Sequence, residues 1–304
     1  MKAETQCVKN NLGLVCITTS DAVRYKTVTR KRLLSFDEMI QKEMLRSLYQ
    51  ENIHRVGNAI EFCQANGINL YRLTSGLFPF SDEPIGAEIL EEFTDQLAVA
   101  GNQANVNELR IVMHPDQYVV LSSDSESVIE NSVKILKMHA RTLDLLHQPQ
   151  TEWATMNVHG GKGDRTDKLV ESIEKLPDNI RSRIAFENDE HAYSAAQILE
   201  VCRRASVPMV FDAHHHVCRE KLDSYNDESV TETFWAARAT WKKPENQMVH
   251  ISNGRDHFQD RAHHDLIFDM PEVFRYAEWI EVEAKHKEIA IEKLNKEWLN
   301  APTV

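Results

Sequence analysis

The sequence predicts an α/β protein folded as a single-domain, closed (β/α)8 TIM barrel, and three observations carry the prediction. Eight short apolar runs recur along the 304 residues, most of them continuously apolar, as parallel strands covered on both faces must be. Helical patterns lie between them, and the strand starts are far enough apart for a crossover helix each time. No glycine-rich dinucleotide fingerprint or phosphate loop follows any run, which leaves an open doubly wound sheet as the runner-up.

In chain order the runs are LGLVCI (12–17), INLYRL (68–73), LRIVMH (109–114), ATMNVH (154–159), RIAFEN (183–188), PMVFDA (208–213), QMVHIS (247–252) and WIEVEAK (279–285). After the first, Met44, Leu45, Leu48, Ile53, Val56 and Ile60 mark an amphipathic helix that Asn66-Gly67 stops. Val128, Ile129, Ile135, Leu136, Leu143 and Leu146 mark another before the fourth run. Ser194-Ala-Ala-Gln197 reads as a capping box that opens a helix through Ile198, Leu199 and Cys202. The expected boundaries are an N-terminal extension over 1–11, the barrel over 12–298 and a tail over 299–304.

Composition sets the remaining limits. A chain with 42% hydrophobic and 27% charged residues is of ordinary globular type, and at this length one core can bury about three-quarters of the unfolded surface. A net charge of −12 argues against a sequence-blind, charge-driven nucleic-acid coat. No apolar run reaches the length of a membrane span and Met1–Asn11 lacks a signal-like apolar stretch, so a cytoplasmic protein without membrane partners is expected. Five scattered cysteines without a C-x-x-C fit reduced thiols. The acidity is uneven: Arg24, Lys26, Arg30, Lys31 and Arg32 form a basic run just after the first strand, which the barrel places on the catalytic rim.

Polar residues gather where the barrel puts the C-terminal strand ends. These are His114, His159, Glu187, Asp212 with His215, His250 and Glu283. Six successive strands ending in His, Asp or Glu suggest a metal cluster, because buried charges need partners. Imidazole and carboxylate without clustered thiolate suit Mn, Zn or another first-row ion. Spacing alone does not choose among His214, His215 and His216 as ligand. The Gly160-Gly161-Lys162-Gly163 turn would let backbone approach a phosphate, or is simply a flexible loop. Lys285 and Lys287 lie just beyond Glu283, where ordinary surface lysines are the plain reading.

The segments LYRLTSGLFPF, VMHPDQYVVLSS, NVHGGKGDR, FENDE, VFDAHHH, VHISNG and VEAKHKE, in this order, resemble the UV damage endonuclease family, related to endonuclease IV and xylose isomerase-like barrels. The likeness runs from about Leu12 to Ile291. It implies a metal-dependent DNA-repair nuclease that nicks damaged duplex DNA immediately 5′ to pyrimidine dimers and 6-4 photoproducts and so starts excision repair. The implied cofactors are three divalent ions, with Mn first and Zn, Co or Mg as alternatives. The implied ligands are His114, His159, Glu187, Asp212, His215, His250, His263 and Glu283. Glu187 would bridge two ions, Asp212, His250 and Glu283 would complete the second, and His215 and His263 would serve the third.

The resemblance also makes Gln117 and Tyr118 the pair that probes the lesion. Arg24, Arg30, Lys31 and Arg32 are expected along the DNA, and Glu187, Glu283 and Lys285 are the catalytic candidates. Two positions depart from the family pattern: Glu83 stands where several members carry a histidine ligand, and Met248 where some carry a modified lysine. Glu83, or its neighbour Asp82, is therefore the expected substitute ligand. An abasic-site endonuclease, a metal sugar isomerase, or a lesion-binding protein with weakened catalysis are the competing readings. No feature calls for an obligate protein partner, and a monomer is expected.

Overall fold

In a computed structural model describing residues 8–115 and 118–299, eight parallel strands close in sequence order, each beside the next and the last beside the first. They are β1 (Asn11–Val15), β2 (Leu70–Leu73), β3 (Arg110–Met113), β4 (Met156–His159), β5 (Ile184–Glu187), β6 (Met209–Asp212), β7 (Met248–Ile251) and β8 (Trp279–Val282). Seven of the predicted runs contain their strand and the first overlaps β1, which starts one residue earlier, and the fold is the predicted (β/α)8 barrel.

Alternation along the strands explains why the runs read as apolar until their ends. Tyr71, Ile111, Val158, Phe186, Phe211, Val249 and Ile280 pack outward into the main core beneath the helices. Leu70, Val112, Ala185, Val210, Met248 and Trp279 form a separate apolar cluster, the lower layer of the barrel interior. Two residues further along the same parity stand Arg72, His114, Glu187, Asp212, His250 and Glu281. The interior therefore changes from apolar to ionised within one repeat of the pleat. Met248 belongs wholly to the apolar layer.

The predicted helices appear at Glu38–Ala65, Glu126–Leu145 and Ala195–Ala205. The first ends beside Gly67, whose φ of +65° is the left-handed turn conformation that glycine adopts freely. The third opens with both hydrogen bonds of the Ser194–Gln197 capping box. One connection departs from the expected pattern. Between β7 and β8 the only helical element is a short 3-10 turn at Glu272–Tyr276. Asn253 organises this loop instead: its Oδ1 accepts from the Phe268 and Asp269 amides, and its Nδ2 donates to the Asp269 carbonyl. No helix among the described residues is long and apolar enough to cross a membrane.

Candidate metal centre

Strand register assembles the centre. His159 of β4 lies directly across from Glu187 of β5, and Asp212 of β6 across from His250 of β7. Three overlapping groups of potential ligand atoms result: His114, His159 and Glu187; Glu187, Asp212 and His215; and Asp212, His250 and Glu283. Glu187 and Asp212 each belong to two of them.

Glu187 is at the middle. Its Oε2 lies 3.3 Å from His114 Nε2 and accepts from Asn157 Nδ2, while Oε1 lies 3.2 Å from His250 Nδ1 and 3.5 Å from His215 Nδ1. Burial alone would raise its carboxyl, yet the charge of His250, first among its partners, holds it well below the usual carboxylate range. Glu283 behaves likewise: burial raises it, and Arg72 and His250 together pull it lower. Burial lowers His159, which keeps that imidazole neutral and fit to ligate. In His215 burial is outweighed by Asp212, Glu187 and Glu190, which lift it to about 9.

The three consecutive histidines separate by their partners. His215 Nδ1 meets the Asn188 carbonyl at 2.9 Å, an acceptor only, so Nδ1 carries the proton and Nε2 is left for a ligand. Asn188 is itself clamped to β6, donating to the Asp212 carbonyl and accepting from the Asp212 amide. His214 is consumed by Tyr225 Oη at 2.6 Å and the Asp260 carbonyl at 2.8 Å. His216 turns toward Ser229.

A metal fits this donor set on the structure's own terms. Asp212 Oδ2 and His159 Nδ1 are buried ligand-type atoms without hydrogen-bond partners, the kind of deficit an ion removes. A cleft of about 620 Å³ opens onto His159 and His215, lined also by Val119, Gly161, Lys162 and Glu190. Tyr118, next to that lining, is 69% exposed, whereas its predicted companion Gln117 lies outside the described residues.

Other expected residues are placed differently. His263 stands at the edge, its Nδ1 3.9 Å from Glu283 Oε2. Glu83 joins none of the ligand groups among the described residues; it precedes the helix Pro84–Glu91 and pairs with Arg30, whose guanidinium also covers the Phe80 ring. Arg24 is spent on the carbonyls of Thr18, Thr19 and Val23, so it braces its own loop. Lys31 and Arg32 are exposed, with Arg32 over the Phe36 ring. Lys285 is exposed and joined to His264 only through its backbone amide, while Lys287 is half-buried and held low by burial.

Sequence reasoning missed Arg72, Glu281 and Asn157. Arg72 and Glu281 sit two residues beyond the interior residues Leu70 and Trp279, and that parity is the signal that could have found them. It also missed a cationic cluster: Lys162, Arg165 and Lys168 all converge on the single carboxylate of Asp124, Lys162 at 2.9 Å and Lys168 at 3.9 Å. Ser122 stitches this corner together: its Oγ accepts from the Lys162 amide at 2.7 Å and lies 2.9 Å from both the Gly160 and Lys162 carbonyls, one of which takes its single proton.

Residues 10–302 match the model of the family described as UV-endonuclease UvdE. The chain belongs to this UV-endonuclease family. It is 51% identical over 290 residues to the UV DNA damage endonuclease of Nostoc sp. strain PCC 7120, covering 95% of this chain and 90% of that protein. Identity to the UV DNA damage endonuclease of Deinococcus radiodurans is 45%, over 93% of this chain and 94% of that one. The crystal structure of SacUVDE superposes with a TM-score of 0.80 at 27% identity, covering 94% of this chain and 98% of that one. A D-tagatose 3-epimerase-like protein, at a TM-score of 0.56 and 10% identity, shares the barrel alone.

Proposed function

We propose that this UvdE-family protein is a metal-dependent endonuclease that nicks duplex DNA immediately 5′ to UV photoproducts, so that its place of action is wherever the DNA lies, in the cytoplasm. The observation that carries the metal dependence is the cluster of buried, unsatisfied imidazole and carboxylate atoms at the mouth of the barrel. The residues to hold the ions are His114, His159, Glu187, Asp212, His215, His250 and Glu283, with His263 at the rim; Mn suits this O/N donor set, as do Zn, Co and Mg to differing degrees. Divalent ions held there neutralise charge on a phosphate, activate water at neutral pH and steady a leaving oxygen.

The chain's own groups supply the rest. Glu187 presents one oxygen to each half of the cluster and keeps the halves in register. Arg72, 2.5 Å from Glu283 Oε1, holds that carboxylate ionised at the mouth. Lys162, Arg165 and Lys168 give the neighbouring rim three cations against one carboxylate, a surface suited to a phosphate backbone. Exposed Lys285 and half-buried Lys287, just beyond Glu283, are the lysines to face a phosphate backbone. Exposed Tyr118 suits stacking into a duplex gap where a distorted pair is extruded at low cost, with Gln117 beside it in sequence.

A nicking assay tests this with defined duplexes carrying a cyclobutane dimer, a 6-4 photoproduct or an abasic site, and Mn, Zn, Co or Mg. The expected product is a single nick 5′ to the photoproducts, abolished by chelator. Preference for the abasic duplex would make the protein an abasic-site endonuclease, and tight photoproduct binding without nicking would make it a lesion-binding protein.

A further inference from the structure

We propose that Glu281, backed by Arg72, is a positioning residue of the metal centre, holding the far edge of the His250 imidazole so that Nδ1 faces an ion shared with Asp212 and Glu283. The inference rests on the metal-centre reading above.

His250 is fully buried and lies between carboxylates on both edges. Its Nδ1 is 3.2 Å from Glu187 Oε1 and 3.3 Å from Glu283 Oε1, so this nitrogen looks into the cluster. Its Nε2 is paired on the opposite side with Glu281 Oε2. Glu281 is fully buried, directly across the β7–β8 ladder from His250, and a member of none of the three ligand groups among the described residues.

An imidazole can offer only one nitrogen to a metal, and the other must donate its proton to an acceptor; an anionic acceptor makes the ligating nitrogen more basic and fixes the ring plane. Glu281 is placed to be that acceptor. Arg72 makes its burial tolerable, with Nη1 3.4 Å from Glu281 Oε2 and Nη2 on Glu283. One guanidinium thereby ties the carboxylate behind His250 to the carboxylate in front of it. Gly13 of β1 contributes to the same link. It pairs in register with both Glu281 and Leu70 and puts no side chain between β8 and β2, where a Cβ would come within 2.7 Å of Leu70 Cδ2.

The test titrates Mn(II) alone into the metal-free full-length chain and follows free Mn(II) by electron paramagnetic resonance. Glu281→Gln, which keeps shape and loses charge, is expected to weaken binding about 10–100-fold. Excess Mn(II) should then restore nicking by Glu281→Gln, but not by Glu187→Gln. A second measurement stands apart from the variant's folding: in Zn-loaded wild-type protein labelled with 15N-histidine, His250 should carry its proton on Nε2. Wild-type affinity in folded Glu281→Gln, or a His250 proton on Nδ1, overturns the proposal. Wild-type protein that takes up no Mn(II) overturns the metal-centre reading and this inference with it.

Discussion

The two ends of the barrel interior bury charge in opposite ways. At the floor, Arg110 is fully buried and its guanidinium is satisfied by the protein itself. Nε donates to the Trp153 carbonyl at 2.8 Å, Nη1 to that of Asn246 at 2.9 Å, and Nη2 to that of Glu152 at 3.0 Å and to Thr155 Oγ1 at 3.3 Å. The rings of Trp153, Trp279 and Trp241 surround it at 5.1, 5.2 and 5.7 Å. At the mouth, Asp212 and His159 keep buried atoms that nothing in the chain satisfies. Since an unpaired buried polar group costs roughly 1–3 kcal/mol, the floor is architecture and the mouth is a site reserved for something from outside.

The largest expected effect that sharpens this contrast is Glu187→Gln. It should cut nicking by at least about 10⁴-fold, equivalent to about 5 kcal/mol of transition-state stabilisation, while the metal-free protein stays folded. A large loss of metal-free stability would show the mouth to be architecture as well. Next, Arg110→Met preserves bulk at the floor but strips the donors from buried carbonyls. Denaturant unfolding should register a loss of about 3–5 kcal/mol, with nicking per folded molecule retained. Loss of nicking in folded Arg110→Met would break the division between the ends.

The smallest effect concerns protons. His215, raised to about 9, and His250, raised well above the ordinary imidazole range, are protonated near neutrality in the metal-free chain. Their folded-state values exceed the unfolded value of about 6.5, so this contribution to stability is complete below about pH 6.5 and fades as pH rises through about 9. Metal must displace those protons. Mn(II) affinity should therefore rise by up to about tenfold per pH unit for each proton released, and calorimetry in buffers of different ionisation enthalpy should detect the release. Binding without proton release would contradict it.

Much of this was legible in the chain because the barrel makes it so. A strand buried on both faces is a run of apolar residues, and the first ionisable residue at its C-terminal end stands out; His114, His159, Glu187, Asp212 and His250 were found in this way. Arg72, Arg110 and Glu281 were hidden because each falls inside a run, where a lone charge reads as noise until the closed sheet shows which parity faces inward. The tandem histidines were ambiguous for a related reason. Their fates depend on Asn188, Tyr225 and Ser229, which are distant partners that no local spacing encodes. The family resemblance makes Glu83 a ligand candidate, but the competing partner Arg30 arrives from another part of the chain.

The tryptophan-caged floor also bears on traffic. With Arg110 and its three indoles filling the bottom of the barrel, an ion held as proposed by Asp212, His250 and Glu283 would leave through the mouth, past the cleft beside His159 and His215. A DNA strand bound over that mouth, as proposed, would act as a stopper. Bound damaged duplex should therefore slow the stripping of metal by a chelator, and the enzyme's residence on a lesion and its grip on its ions become one kinetic event.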